Sequence, residues 1–193
     1  MTAGTSGSSG RFPAVFTIGH GARTIEAFLA LVEAPAIRIV VDVRTAPGSR
    51  KHPQFGRDAL ETSLGQRGIT YVWRKELGGW RRPRSDSPHT ALHSPAFRGY
   101  ADHMSTVEFH SAMEWLIETS TRDRTAIMCA ESLWWRCHRR MIADALTVRG
   151  RDVLHVMEGG RIEPHRLSAT ARVDGTELVY DVDSRQLGLL DGG

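Results

Sequence analysis

The stretch IRIVVDVR, residues 37–44, decides the fold class. Its apolar run is about as long as one strand, whereas a membrane helix needs about 20 apolar residues, so no membrane partner is expected. Similar runs alternate along the chain with amphipathic stretches, a pattern typical of parallel sheets covered by helices. We therefore predict a three-layer α/β fold with a mostly parallel central sheet of about five strands, flanking helices and an appended C-terminal hairpin.

Five apolar runs are predicted as strands: residues 15–19, 38–43, 69–73, 126–129 and 153–157. Four amphipathic stretches are predicted as helices: residues 24–34, 57–67, 106–119 and 133–149. An Asp174-Gly175 pair between residues 171–173 and 178–182 indicates the hairpin. The segment 74–95 is aperiodic and rich in Gly, Pro, Arg and Ser; long loops of this kind are usually functional, so we interpret it as a mobile lid.

The chain has 193 residues and 40% hydrophobic content, which favours one domain. Residues 1–10 are small and polar and are interpreted as a disordered tail or a cloning scar. Residues 11–166 are expected to form the α/β domain, and residues 167–193 the hairpin and an acidic tail. Two cysteines without an export-type segment predict a cytoplasmic protein with free thiols.

The positive charge of this chain is almost entirely arginine, since Lys51 and Lys75 are the only lysines. Guanidinium groups match the geometry of phosphate and carboxylate, so an anionic small molecule or nucleotide is the expected partner. The base composition of the genome explains the overall preference for arginine equally well. The distribution is more informative, because six basic residues and two acids lie between Arg74 and Arg98.

Polar and reactive side chains end or follow all five predicted strands. In open parallel sheets, ligands bind beyond the carboxyl ends of the strands, where loops converge. The residues at these positions are His20, Asp42, Arg44, Arg74, Lys75, Cys129, Glu131 and Glu158. The sequence therefore predicts a site at this edge of the sheet.

The stretch CAESLWWRCHRR, residues 129–140, contains both cysteines, an acid, a histidine and three arginines. Cys129 would lie between a strand end and a helix N-terminus, where a thiol pKa falls, so it is predicted as the nucleophile or a sulfur carrier. Glu131 and His138 are the predicted base and orienting group. Cys137 falls on the apolar stripe of the predicted helix, so a packing role for it stays open.

Arg136, Arg139 and Arg140 occupy the first half of that predicted helix, where the helix dipole disfavours bases. A bound anion would resolve this conflict; a solvated arginine face is the alternative.

No metal is predicted, because Cys129, Cys137 and His138 lack the paired spacing of structural zinc sites. Six residues separate Cys129 from Arg136, where the signature of cysteine phosphatases has five. This spacing counts against a phosphatase.

Five motifs in order, TIGH (17–20), DVR (42–44), ELGG (76–79), FRGYA (97–101) and CAESLWWRCHR (129–139), resemble domain-of-unknown-function family 488 over about residues 17–156. The resemblance implies a compact cytosolic α/β protein whose motif side chains surround one pocket. Carried over by motif, the pocket residues are His20, Asp42, Arg44, Gly78, Gly79, Arg98, Tyr100, Cys129, Glu131, Cys137, His138 and Arg139. The family motif has a proline between CAE and CHR; this chain has Leu133, Trp134 and Trp135 there, which predicts a different turn.

Three functions follow from these patterns. The first is a cysteine-dependent transferase or hydrolase that holds its anionic substrate with Arg44, Arg98 and Arg139. The second is a nucleic-acid-binding module that uses the basic loop 74–98 and aromatic stacking. Its stacking residues would be Trp73, Trp80 and Tyr100.

The third is a regulatory protein that holds a ligand and pairs its hairpin with a second subunit. The sequence indicates no particular cofactor and leaves the reaction and the oligomeric state open.

Overall fold

The computed structural model describes residues 14–48 and 50–182. The predicted tail at residues 1–10 and most of the acidic tail lie outside the described residues. The elements, in chain order, are β1 (Val15–Gly19), α1 (Ile25–Glu33), β2 (Ile39–Asp42), α2 (Arg57–Gly65), β3 (Thr70–Trp73), α3 (Pro95–Met104), α4 (Val107–Arg122), β4 (Thr125–Cys129), α5 (Arg139–Val148), β5 (Val153–Val156), β6 (Ile162–Pro164), β7 (Ala171–Asp174) and β8 (Glu177–Tyr180).

The central sheet has six strands in the order β3-β2-β4-β1-β5-β6. The first five of these strands are parallel, and β6 runs antiparallel at the edge. Alternate strand residues face opposite layers: Val40 packs with the helices α1 and α2, and its neighbour Val41 packs with α4 and α5. The predicted three-layer α/β fold is confirmed.

The C-terminal hairpin is also confirmed, as strands β7 and β8 with Gly175 at φ +61° in the turn. It packs on the domain through Tyr180, which is fully buried and donates its hydroxyl hydrogen to Asp144 over 3.0 Å. No helix in the described ranges is long and apolar enough to span a membrane.

The predicted helix 133–149 is wrong at its start. Trp134–Arg136 form one 3-10 turn, Cys137 is extended, and α5 begins at Arg139. The Trp134 ring stacks on His155 with ring centroids 3.9 Å apart, and this contact with the sheet holds the segment in a turn. Arg136 therefore lies outside α5.

Helix α3 and strand β6 are absent from the sequence prediction. Helix α3 is short, polar and interrupted by Gly99, so its periodic signal is weak. A Cβ atom on Gly99 would lie 2.5 Å from the main-chain carbon of Arg82, which explains why glycine is needed where the loop crosses this helix.

The segment 74–95 is anchored to the domain by the buried side chains of Leu77, His89 and Leu92. Its middle, residues 82–86, is exposed, and Trp80 is 83% exposed. Its role as a moving lid stays a prediction.

Candidate functional site

Parallel pairing brings the predicted catalytic elements to one edge of the sheet. Gly19 is paired with Cys129, and Asp42 with Met128, so strands β1, β2 and β4 end side by side. A Cβ atom on Gly19 would lie 1.9 Å from the carbonyl oxygen of Glu131. Glycine at this position therefore lets the segment after β4 fold back over the end of β1.

The two cysteines meet at this edge. Cys129 ends β4 and Cys137 precedes α5, and their Sγ atoms are 2.6 Å apart. Both are buried free thiols, and both line the same cavity. Cys137 therefore packs in the core, as considered above, and also contacts the Cys129 thiol directly.

Arg139 lies behind this thiol pair and is 1% exposed. Its Nε–H group donates to Cys129 Sγ over 3.1 Å, and its Nη2 group donates to the carbonyl oxygens of Glu131 and Ser132. Within the described part of the chain, no carboxylate forms an ion pair with it. A buried guanidinium needs a compensating negative charge, so this position favours a thiolate.

The pKa values of the two thiols diverge. Burial raises the pKa of Cys129, and its hydrogen bond to Cys137 raises it further. Burial also opposes ionisation of Cys137, but the hydrogen bond from Cys129 and the charges of His138 and Arg139 outweigh it, so the pKa of Cys137 lies well below the usual value. The helix N-terminus expected beside Cys129 is absent there, because α5 begins ten residues later and its N-terminus adjoins Cys137.

His138 is held in one orientation beside Cys137. Its Nε2 atom lies 2.9 Å from the Val43 carbonyl oxygen, which only accepts hydrogen bonds, so Nε2 carries a proton. Its Nδ1 atom faces Cys137 Sγ at 3.5 Å. A Cβ atom on Gly79 would lie 2.5 Å from Nδ1, so the second glycine of ELGG makes room for the ring.

His20 is buried and neutral. Its Nδ1 atom lies 2.8 Å from the Gly21 carbonyl oxygen, and its ring stacks on Phe55 with centroids 4.2 Å apart. Burial lowers the pKa of His20 to about 4. Its Nε2 atom faces the Arg44 guanidinium at 3.4 Å and accepts from it.

Asp42 and Arg44 form a buried ion pair. Arg44 donates from Nε and Nη2 to the Asp42 carboxylate, which also accepts the Tyr71 hydroxyl hydrogen over 2.7 Å. The Nη1 group of Arg44 donates to the Phe55 carbonyl oxygen over 2.9 Å. The charge of Arg44 is already balanced, so this pair shapes the wall of the site.

The cavity in front of the thiols measures about 700 Å³. Seven of the predicted residues line it: His20, Arg44, Gly79, Cys129, Glu131, Cys137 and His138. The other five lie behind the wall or outside it: Asp42, Gly78, Arg98, Tyr100 and Arg139.

Three of those five have structural partners that explain their positions. Tyr100 donates to the Leu77 carbonyl oxygen over 3.0 Å, and Arg98 donates to the Leu92 carbonyl oxygen over 3.0 Å. A Cβ atom on Gly78 would lie 2.7 Å from Thr45 Oγ1. Arg98 therefore anchors the loop and does not face the cavity.

The cavity residues missing from the predicted pocket set include His52, Trp80, Phe97 and Arg136. Arg136 is exposed, and its guanidinium makes no hydrogen bond or ion pair with any described residue, so it supplies a free positive charge. His52 and Trp80 lie in aperiodic loops, so the periodic strand pattern gave no indication that they line the cavity.

Glu131 completes the wall. Its Oε1 atom accepts from the Leu133 main-chain N–H over 3.2 Å, and its own N–H donates to Cys129 Sγ over 3.3 Å. No group of three or more His, Cys, Asp or Glu side chains within residues 14–48 and 50–182 is arranged to hold a metal ion.

The fold and the site define a parallel α/β protein with a paired-thiol cavity at the carboxyl ends of its strands. A family model described as "Domain of unknown function DUF488" matches residues 24–146, and the chain belongs to this family. Searches of curated proteins and of solved structures found no significant match.

Proposed function

We propose that this protein is a cysteine-dependent enzyme, a transferase or hydrolase, acting on an anionic small molecule or nucleotide bound in the cavity. The observation that carries this proposal is the 3.5 Å contact between Cys137 Sγ and His138 Nδ1 on the cavity wall. A thiol with a lowered pKa beside an oriented imidazole is the arrangement that nucleophilic catalysis requires.

Cys137 acts as the nucleophile in this proposal, in place of Cys129. The Val43 carbonyl oxygen fixes the proton on Nε2 of His138, so Nδ1 is the atom that exchanges a proton with the thiol or with the leaving group. Arg139 and the Cys129 thiol stabilise the negative charge on the sulfur pair from behind. Glu131 faces the cavity as a second proton acceptor.

Arg136 and Trp80 are the proposed substrate contacts. Arg136 is the cavity-lining cation without a partner among the described residues, and it suits a phosphate or carboxylate. Trp80 is 83% exposed at the cavity, and an exposed indole face is a platform for a nucleotide base. Arg44, Arg98 and Arg139, the cations expected from sequence, are engaged with protein groups.

The test is protection of Cys137 from alkylation. Nucleoside monophosphates, sugar phosphates and inorganic phosphate are each added to the full chain with iodoacetamide, and modification of Cys137 is followed by peptide mass. At least one nucleotide is expected to slow alkylation, and Arg136→Gln is expected to remove the protection without changing the unprotected rate. If none of these anions protects Cys137, the anionic substrate is excluded.

The same set of anions is used to test whether the protein catalyses a reaction. A product or a covalent adduct is expected with the wild-type chain and not with Cys137→Ser. Product formation that persists in Cys137→Ser would contradict a cysteine-dependent reaction.

A nucleic-acid-binding module is the second candidate, favoured by the exposure of Trp80 next to Arg81 and Arg82. Three other basic residues of the loop are engaged within the protein. Arg74 packs on Trp115, Arg84 pairs with Asp86, and Arg98 bonds the Leu92 carbonyl oxygen. Binding to a single-stranded oligonucleotide that weakens steeply with salt would support this candidate, and binding without salt dependence would exclude it.

A further inference from the structure

We infer that Cys129 and Cys137 form a reversible thiol-oxidation site, in which Cys137 attacks a small-molecule disulfide and Cys129 displaces it to close an internal disulfide. This inference stands on the thiol pair alone and does not require the enzymatic reaction proposed above.

Proximity is the first argument. The two sulfur atoms are 2.6 Å apart, and these are the only cysteines of the chain. Seven residues lie between them in the sequence, with Cys129 fixed at the end of a central strand and Cys137 in the extended segment before α5. The partners are therefore already together, and no loop-closure cost remains for joining them.

Activation is the second argument. The contacts of Arg139 with Cys129 and of His138 with Cys137 place a guanidinium and an imidazole against the thiol pair. Burial opposes ionisation, but these neighbours lower the pKa of Cys137, and thiol–disulfide exchange proceeds through the thiolate.

Access is the third argument. Both cysteines line the cavity of about 700 Å³, whose volume admits a molecule larger than a peroxide. A buried pair without such an opening would be inert toward an external disulfide.

The reaction balances with a low-molecular-weight disulfide, RSSR, as the oxidant. The Cys137 thiolate forms a bond to one sulfur of RSSR, the S–S bond of RSSR breaks, and RS⁻ leaves. Cys129 then gives up its proton and attacks Sγ of Cys137, which expels the second RS⁻. The protein loses two electrons and two protons, and RSSR becomes two RSH.

Arg139 favours the reduced form of this thiol–disulfide couple. The reduced pair supplies the negative charge that the buried guanidinium lacks elsewhere within the described residues, whereas the disulfide carries no charge. Because the reduced form is electrostatically favoured, the disulfide is expected to be readily reduced, in the manner of catalytic and regulatory disulfides.

The experiment treats the full chain with oxidised glutathione and follows intact mass and iodoacetamide labelling. The wild-type chain is expected to lose two hydrogen atoms and both reactive thiols, without accumulating a glutathione adduct, and to regain both thiols with reduced glutathione. Cys129→Ser is expected to trap glutathione on Cys137. Cys137→Ser is expected to react much more slowly, because the remaining thiol lacks the lowered pKa.

Two outcomes would overturn the inference. One is a wild-type chain whose thiols both remain open to alkylation after the treatment; the other is a wild-type chain that keeps a stable glutathione adduct. Both measurements use the wild-type chain, so neither depends on whether a variant folds. Disulfide formation without protection by anions would leave this inference standing while the proposed function fails.

Discussion

His138 presents its Nδ1 atom to Sγ of Cys137 at 3.5 Å, with Nε2 anchored on a main-chain carbonyl oxygen. The anchor decides which ring nitrogen exchanges protons. The hydrogen bond from Cys129 and this contact with His138 together lower the pKa of Cys137.

Replacing His138 is the first test of this contact. His138→Gln is expected to raise the pH midpoint of Cys137 alkylation, because the imidazole charge that favours the thiolate is removed. The midpoint is expected to rise by about one unit, which corresponds to an alkylation rate about tenfold lower at any pH below both midpoints. The matched control is His93→Gln, since His93 is exposed and outside the cavity. An unchanged midpoint in His138→Gln would show that the contact does not tune the thiol.

Arg139 is expected to be a strong determinant of stability. Arg139→Met leaves the carbonyl oxygens of Glu131 and Ser132 without their donor and removes the cation facing the thiols, so we expect a loss of about 3 kcal/mol in the free energy of unfolding. Urea unfolding measures it. The control Arg122→Met breaks an exposed pair with Glu118 and is expected to cost less than about 1 kcal/mol. Equal losses in the two variants would contradict the role of Arg139.

Gly79 tests the shape of the site. A Cβ atom there would lie 2.5 Å from His138 Nδ1, so Gly79→Ala is expected to displace the ring and slow Cys137 alkylation severalfold at neutral pH. Gly65 is the control, because a Cβ atom on it meets no atom within 4 Å. Gly65→Ala is expected to leave alkylation unchanged and to add up to about 1 kcal/mol of stability. The same alkylation rate in both variants would show that the ring tolerates displacement.

Two buried histidines predict how stability depends on pH. Burial lowers the pKa of His20 to about 4 and that of His155 to about 3, from an ordinary value of 6.5. Below pH 6.5 the unfolded chain binds protons that the folded chain refuses, so stability is full above about pH 7 and falls as the pH drops from 6.5 toward 4. Each histidine contributes a slope of at most about 1.4 kcal/mol per pH unit.

Urea unfolding between pH 7.5 and 4.5 measures this slope, and His155→Gln is expected to reduce it. The comparison uses the change of stability with pH, since the variant also loses hydrogen bonds to Thr17 and His165. A wild-type stability that stays constant over this range would contradict the neutral state of both buried rings.

The fold was predictable because its signal is periodic. Strands β1 to β5 are short apolar runs bounded by polar residues, and their parallel pairing places the ends at one edge by geometry alone. Seven predicted residues consequently line one cavity. Helix α3 and strand β6 were missed because α3 contains Gly99 and few apolar positions, and β6 has only three residues.

The chemistry of the thiols was less predictable. The spacing of Trp134, Cys137 and Met141 is helical, but stacking of Trp134 on His155 ends the helical pattern before Cys137. The contact partners of Arg44 and Arg98 are likewise tertiary, and no local pattern indicates that both are already bonded to protein groups. These assignments depend on neighbours distant in sequence.

We propose that Cys137 is the reactive thiolate of this site. The decisive measurement is alkylation of the native chain by iodoacetamide between pH 5 and 10, with each modified cysteine identified by peptide mass. We predict that Cys137 is modified before Cys129, with a midpoint clearly below the free-thiol value of about 8.5. Modification of Cys129 first, or a Cys137 midpoint at or above that of a free thiol, would contradict the account.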